Sequence, residues 1–390
     1  MVSHIKTPFL ITQFNDGAGI NYDIKIIHND CLFFNFLIQT CRIHWRKELE
    51  SELPKMNQGF QDEYLRDHKF AIDGPLLSAH EIREQKQVLI NRILAIGYLL
   101  YTPKDRARAW AVVPVDMDYD SPKHRGGTGK SLVFNYAFKR FNQQIFQMPA
   151  SYYGNDPHVF HSLTTGFDII LIDDAKTGFK PVSLFEAITG DILVNPRGKA
   201  PFTIPFEKSP KIVLIPDHQL PTDPSVDRRI LYTLFSDYYH VQYDDAGQLI
   251  SRRNPVDDFG KNLFEDFDLN ETGHFYQTME GCLNFYMLRP EKINPPRLIG
   301  PENVDDAIDA LRGAVETFEK PMQIPFKQWQ KTYPDALKFT VTSKKYITIA
   351  AAREMLYGEN FKDAALLVSK QVGDTYTFIF SEQALKETIS

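Results

Sequence analysis

Three short runs of apolar residues, Trp110–Asp116, Phe167–Asp174 and Lys211–Asp217, alternate with stretches of helical periodicity, and this alternation restricts the possible folds most. A strand with one face in water shows apolar and polar residues in turn. A strand apolar at nearly every position must be covered on both faces, as in a parallel sheet sandwiched by helices. The expected class is therefore α/β, with a parallel sheet covered by helices. Before the first run, Ser78–Tyr101 reads as a helix. Ser78 and Glu81 suit a capping box, Leu89, Ile90, Ile93, Leu94, Ile96 and Leu99 recur at helical spacing, and Pro103 stops the element. Lys130–Phe141 and Val182–Thr189 also read as helices, and Arg229–Tyr239 as extended chain.

With 390 residues, the chain exceeds the size at which one hydrophobic core usually stops growing. A central domain with flanking pieces is expected: a mainly helical region over 1–85, including a helix at Arg46–Glu52, a core over 86–273, and a C-terminal region over 274–390. That last region reads as helices at Phe275–Leu288 and Val304–Glu319, linked through Pro295 and Pro296. Short strands and a helix at Ala350–Tyr357 follow, in a winged-helix-like order. Apolar residues at 43% and charged residues at 24% are globular proportions rather than those of a disordered chain. The net charge of −6 argues against a general coat for nucleic acid, so any phosphate-binding groups must be concentrated locally. Cys31, Cys41 and Cys282 are the only cysteines; an odd, sparse set predicts buried thiols rather than a disulfide framework, and the Cys31, Cys41, His44 spacing fits no zinc pattern. No leader-like N-terminus and no apolar run of about 20 residues is evident, which predicts a cytoplasmic protein with no membrane partner.

The densest motif is Arg125-Gly-Gly-Thr-Gly-Lys-Ser131, lying between the first apolar run and a helix. Gly126, Gly127 and Gly129 permit positive φ and let backbone amides approach an anion closely. The amides of Gly126, Gly127, Thr128 and Gly129 and the positive end of the helix would cradle phosphates, with Lys130 reaching the β/γ-phosphates and the Ser131 hydroxyl on Mg²⁺. The strict form of this loop has glycine where this chain has His124; the alternative is a plain glycine turn before a helix. The second apolar run delivers Asp173 and Asp174 at its end. Next to a phosphate loop, Asp173 suits a magnesium site and Asp174 suits polarising an attacking water. Alone, the pair is also compatible with an acidic turn.

Two further segments carry candidate groups. From Gly190 to Phe206, two apolar runs flank a polar tip containing Arg197 and Lys199, which predicts a β-hairpin whose tip could hold a DNA phosphate or simply be a solvated turn. The third apolar run ends at Asp217 and His218, and Arg228 and Arg229 follow. A polar group at that strand end could sense a γ-phosphate, and an arginine beyond it could reach a neighbouring subunit's nucleotide or form an ordinary ion pair.

In this order the motifs resemble the superfamily 3 DNA helicases, and more closely the helicase region of phage and plasmid primase-helicases. The resemblance rests on Gly126–Ser131, Ile169–Asp174, the hairpin from Ile188 through Lys199, Lys208–Ile215 and the double arginine. Ala95–Leu100 before the loop and Asn254–Gly260 after the core add to it, and it spans about Leu89 to Leu288. It implies a P-loop NTPase core of the AAA+ type and a homo-oligomeric ring, a hexamer in that family, using ATP and Mg²⁺ to move 3′ to 5′ on single-stranded DNA. It also implies that Arg197 and Lys199 face the channel. Asp217 stands where that family has asparagine, which adds repulsion near a γ-phosphate. No primase signature is present, so a separate primase or polymerase partner is expected, and a phage-encoded chain would work in the bacterial host cytoplasm. Two rival readings remain open at this stage. One is an ATPase that loads or remodels DNA without unwinding, as an initiator, loader or packaging motor. The other is a nucleotide-binding structural partner that has lost hydrolysis.

Overall fold

The computed structural model describes residues 7–15, 20–117, 126–153, 158–175, 179–216, 224–243 and 248–295, together with the strand backbones at 323–325, 367–372 and 375–380. The chain divides into two compact units, Met1–Pro296 and Arg297–Ser390.

The first unit begins with an antiparallel hairpin, β1 (Phe9–Asn15) and β2 (Ile20–Ile26). The mainly helical region expected over 1–85 thus opens with strands; Leu10 and Phe14 are exposed on the ribbon, so no buried alternation announces it. Helix α1 (Leu32–Cys41) follows, then a wide π-type turn at Arg46–Glu52, α2 (Gln58–Asp67) and α3 (Ala79–Leu100). The Ser78–Glu81 capping box forms as expected: Glu81 N donates to Ser78 Oγ at 3.3 Å and Ser78 N to Glu81 Oε2 at 2.7 Å. Next come β3 (Ala111–Asp116), the short helix α4 (Ala137–Arg140), β4 (Ile145–Pro149), β5 (Ile169–Ala175) and α5 (Phe185–Thr189). The hairpin β6 (Ile192–Val194) and β7 (Phe202–Ile204) leads to β8 (Lys211–Pro216), α6 (Pro224–Arg229) and β9 (Ile230–Phe235). A second ribbon, β10 (His240–Tyr243) and β11 (Leu249–Arg253), precedes α7 (Pro255–Phe259) and α8 (Leu269–Met287). Arg229 therefore ends a helix, and of the extended segment expected over Arg229–Tyr239 only Ile230–Phe235 is strand, with a turn at Ser236–Tyr239.

The centre is a five-stranded parallel sheet in the order β4-β5-β8-β3-β9, flanked by helices. This is an α/β fold. All three apolar runs are strands of it, and β8, which has a partner on each side, is buried at every residue. β4 was not evident in the sequence; it is an edge strand, half in water, with Gln147 exposed in its middle. Helices α1 and α8 pack on α3, and α1 and α3 pack against β9. The expected boundaries at 85 and 273 fall inside α3 and α8, within the one compact unit.

Cys31, Cys41 and Cys282 are buried free thiols, with Cys31 Sγ capping α1 by accepting from Phe34 N at 3.3 Å. Burial raises the pKa of all three thiols. Among the described residues no helix is long and apolar enough to cross a membrane. In the second unit β12 (Gln323–Pro325), β13 (Leu367–Val372) and β14 (Thr375–Phe380) form an antiparallel sheet in the order β12-β14-β13. The helices expected at 304–319 and 350–357 lie outside the described residues.

Candidate functional site

In a parallel sheet every strand ends at the same edge, so β3 and β5 deliver their final residues to one side of the molecule. At that edge Gly126, Gly127 and Gly129 have φ of 81°, 85° and 97°, the left-handed region that side chains disfavour. Gly129 is needed twice over, since a Cβ there would lie 2.6 Å from Cζ of the fully buried Phe36 on α1. Gly127 sits against the β10 ribbon, its Cβ position 3.2 Å from Val241. The chain turns from Gly129 directly into helix, as Val133 N donates to Gly129 O at 3.1 Å, through a wide π-type segment at Leu132–Tyr136 and into α4. Successive amides in such a left-handed loop face a common concavity, which suits an anion.

Asp116, at the end of β3, holds this loop. Its Oδ1 accepts from Thr128 Oγ1 at 2.6 Å, and its Oδ2 accepts from the Lys130 ammonium. Lys130 thus pairs with Asp116, not with Asp173 or Asp174. Sequence reading placed Asp116 only as the last residue of a strand; its role depends on the loop folding back over the strand end. Arg92 is a second residue that pattern reading passed over. It is fully buried between α1 and β9, donating from Nη1 to Thr40 Oγ1 at 3.2 Å and from Nη2 to Leu234 O, with its guanidinium 3.4 Å from the Phe235 ring centroid. Burial lowers its pKa to about 10, partly offset by its interactions with Cys41 and Asp116. The one signal in the sequence was a charged residue inside an apolar helical stretch.

Asp173 and Asp174 lie in a β-bulge where the β5–β8 register shifts between Ile172 and Ala175. Asp174 adopts φ 58°, which acidic and amide side chains tolerate better than most, and its N–H donates to Asp173 Oδ1 at 3.0 Å. Without the bulge, adjacent residues of a strand would point to opposite faces. The bulge breaks that alternation. One strand, β8, separates β3 from β5, so the ends of these two strands lie about 10 Å apart by strand spacing. Asp217, which follows Pro216 at the end of β8, lies outside the described residues.

The remaining candidates sit elsewhere. Arg197 and Lys199 are exposed at the tip of the β6–β7 hairpin, where Gly198 turns the chain at φ 70°. Ile192, Val194 and Ile204 bury the hairpin's inner face. Asp191 Oδ1 accepts from Phe206 N at 2.8 Å across its base. Arg228 and Arg229 end α6, immediately before β9 starts at the opposite edge of the sheet. The register Ala111↔Ile230 to Asp116↔Phe235 puts them about 20 Å below the loop, at roughly 3.3 Å per residue. Arg229 is half-buried with its guanidinium 4.4 Å from the Phe185 ring, whereas Arg228 is exposed.

No protein-family model and no curated protein matches this chain. Among solved structures, it is similar to the A form apo structure of the NrS-1 C terminal region, with a TM-score of 0.32 and 11% identity over 84% of this chain and 76% of that one. A second A form apo structure of that region, 305–718, has a TM-score of 0.30 and 13% identity over 77% of this chain and 75% of that one.

Proposed function

We propose that this chain is a P-loop ATPase with an AAA+-like core that works as an oligomeric DNA helicase. The observation that carries the reading is the glycine loop: three left-handed glycines between a buried strand and a helix, with Lys130 and Ser131 at the helix start and two carboxylates on the same sheet edge. In this reading Lys130 and the loop amides bind the triphosphate, and Asp174 orients the attacking water.

Ser131 and Asp173 offer the hydroxyl and carboxylate oxygens that a magnesium ion takes. Mg²⁺ generally takes only one or two protein ligands alongside waters and phosphate oxygens. Ser131 is exposed at the helix start and Asp173 half-buried at the neighbouring strand end, and these are the residues that would hold it. Among the described residues no group of three or more His, Cys, Asp or Glu side chains could hold a metal ion by itself. When bound, the ion neutralises charge on the transferred phosphoryl group.

Arg228 cannot serve its own loop from the far edge of the sheet, and this supports an action in trans on a neighbouring subunit's nucleotide, with Arg229 held in place by Phe185. The exposed, basic hairpin tip supports contact with a DNA phosphate. The test is ATP hydrolysis by the purified chain with and without single-stranded DNA, together with strand displacement. Lys130→Ala should abolish turnover, and a variant that hydrolyses at the wild-type rate would reject the site. Turnover stimulated by DNA without displacement would reassign the chain to loading or remodelling.

A further inference from the structure

We infer that Asp116 is a latch on the loop, an intramolecular competitor for the place of the nucleotide's phosphates. The inference rests on the phosphate-loop reading of Gly126–Ser131. Both oxygens of Asp116 are committed to the loop, one to the buried Thr128 hydroxyl and the other to the Lys130 ammonium. The side chains of Lys130 and Asp116 are only 12% and 20% accessible, so water screens their attraction poorly. The lysine meant for an incoming polyanion is thereby already neutralised. A triphosphate must displace this carboxylate, and while the latch is closed the carboxylate repels it.

The anchoring of Asp116 strengthens the case. It ends β3, whose pairing with β9 continues in register to Asp116↔Phe235, and Met117 N donates to Phe235 O at 2.8 Å just beyond it. The buried Arg92 also interacts electrostatically with Asp116. Asp116 is thus fixed, and the loop is the part that opens. Apparent affinity falls by the fraction of molecules with the loop open. Charge-assisted bonds of this kind are strong enough to hold that fraction near one in ten, which makes the expected effect about tenfold.

The experiment is calorimetric titration of the full chain with magnesium and ATPγS, comparing wild type, Asp116→Asn and Lys130→Ala. Asparagine keeps the shape and an acceptor for Thr128 but loses the ion pair. Binding should tighten about tenfold in Asp116→Asn and vanish in Lys130→Ala. A residue with a merely structural role would weaken binding or leave it unchanged, so the sign separates the two. If wild type binds and Asp116→Asn binds no better, the latch is wrong and the phosphate-loop reading survives. If neither binds, the phosphate-loop reading fails and takes the latch with it. Should the asparagine variant not fold, Asp116→Ser replaces it with the same expectations.

Discussion

Replacing Gly129 with alanine isolates the close approach between the glycine loop and α1. The added Cβ would stand 2.6 Å from Phe36 Cζ and 3.2 Å from Cε2, against about 3.5–4.0 Å for ordinary carbon contact. Phe36 has nowhere to go, being fully buried with its ring stacked on Tyr239 at 5.4 Å. Overpacking of this kind costs about 1–3 kcal/mol. Alanine at φ 97° adds about 1–3 kcal/mol of backbone strain. The expected loss is therefore about 2–6 kcal/mol. Gly126 supplies the control, because it shares the left-handed conformation at φ 81° but has nothing within 4 Å of its Cβ position. Gly126→Ala should show only the torsional part, about 1–3 kcal/mol. Shortening the ring with Phe36→Leu removes Cζ, so Gly129→Ala in that background should recover about 1–3 kcal/mol, a coupling that a double-mutant cycle reads directly. Urea midpoints followed through Trp45 and Trp110, both buried in the same compact unit as the loop, provide the assay. Equal losses at Gly126 and Gly129, with no coupling to Phe36, would refute the packing argument.

Three further outcomes are expected. Arg197→Ala combined with Lys199→Ala should weaken single-stranded DNA binding and flatten its salt dependence by about one to two counterions, leaving ATP turnover without DNA unchanged; binding that keeps its salt slope would make the hairpin tip an ordinary turn. Arg228→Ala should lose turnover that is restored in part by mixing with Lys130→Ala subunits, while Arg229→Ala should chiefly lower the melting temperature; the reverse pattern would exchange their roles. Lys211, at the start of β8, has its ammonium bonded to Tyr98 O and Tyr101 O, and burial lowers its pKa to about 7. Its unfolded form binds the proton more tightly than the folded one, so stability should rise with pH from about 7 towards 10.5, by up to about 1.4 kcal/mol per pH unit from this group. Lys211→Met should remove that rise, and urea midpoints that climb equally in both proteins would contradict the assignment.

What could be read from the sequence is what is decided locally. The buried strands declared themselves by continuous apolar runs, α3 by its period and its Ser78–Glu81 cap, and the hairpin by two apolar runs around Gly198. The glycine loop declared itself because left-handed φ is a property of a single residue. What the sequence could not reveal depends on which segment lies beside which. The edge strand β4 has a half-exposed pattern and becomes a strand only by pairing with β5. Phe36 gives no sign of standing behind Gly129, since 93 positions separate them. The strand order, with β8 between β3 and β5, sets the spacing of the two strand ends, and the bulge at Asp173–Asp174 breaks the alternation of side chains there. Asp116 is the clearest case. Its type and place were plain in the sequence, but only the folding of the loop back onto the end of β3 makes it the partner of Lys130. Backbone preference and burial pattern are carried by neighbouring residues, whereas register, strand order and charge pairing arise only when distant segments compete for the same space.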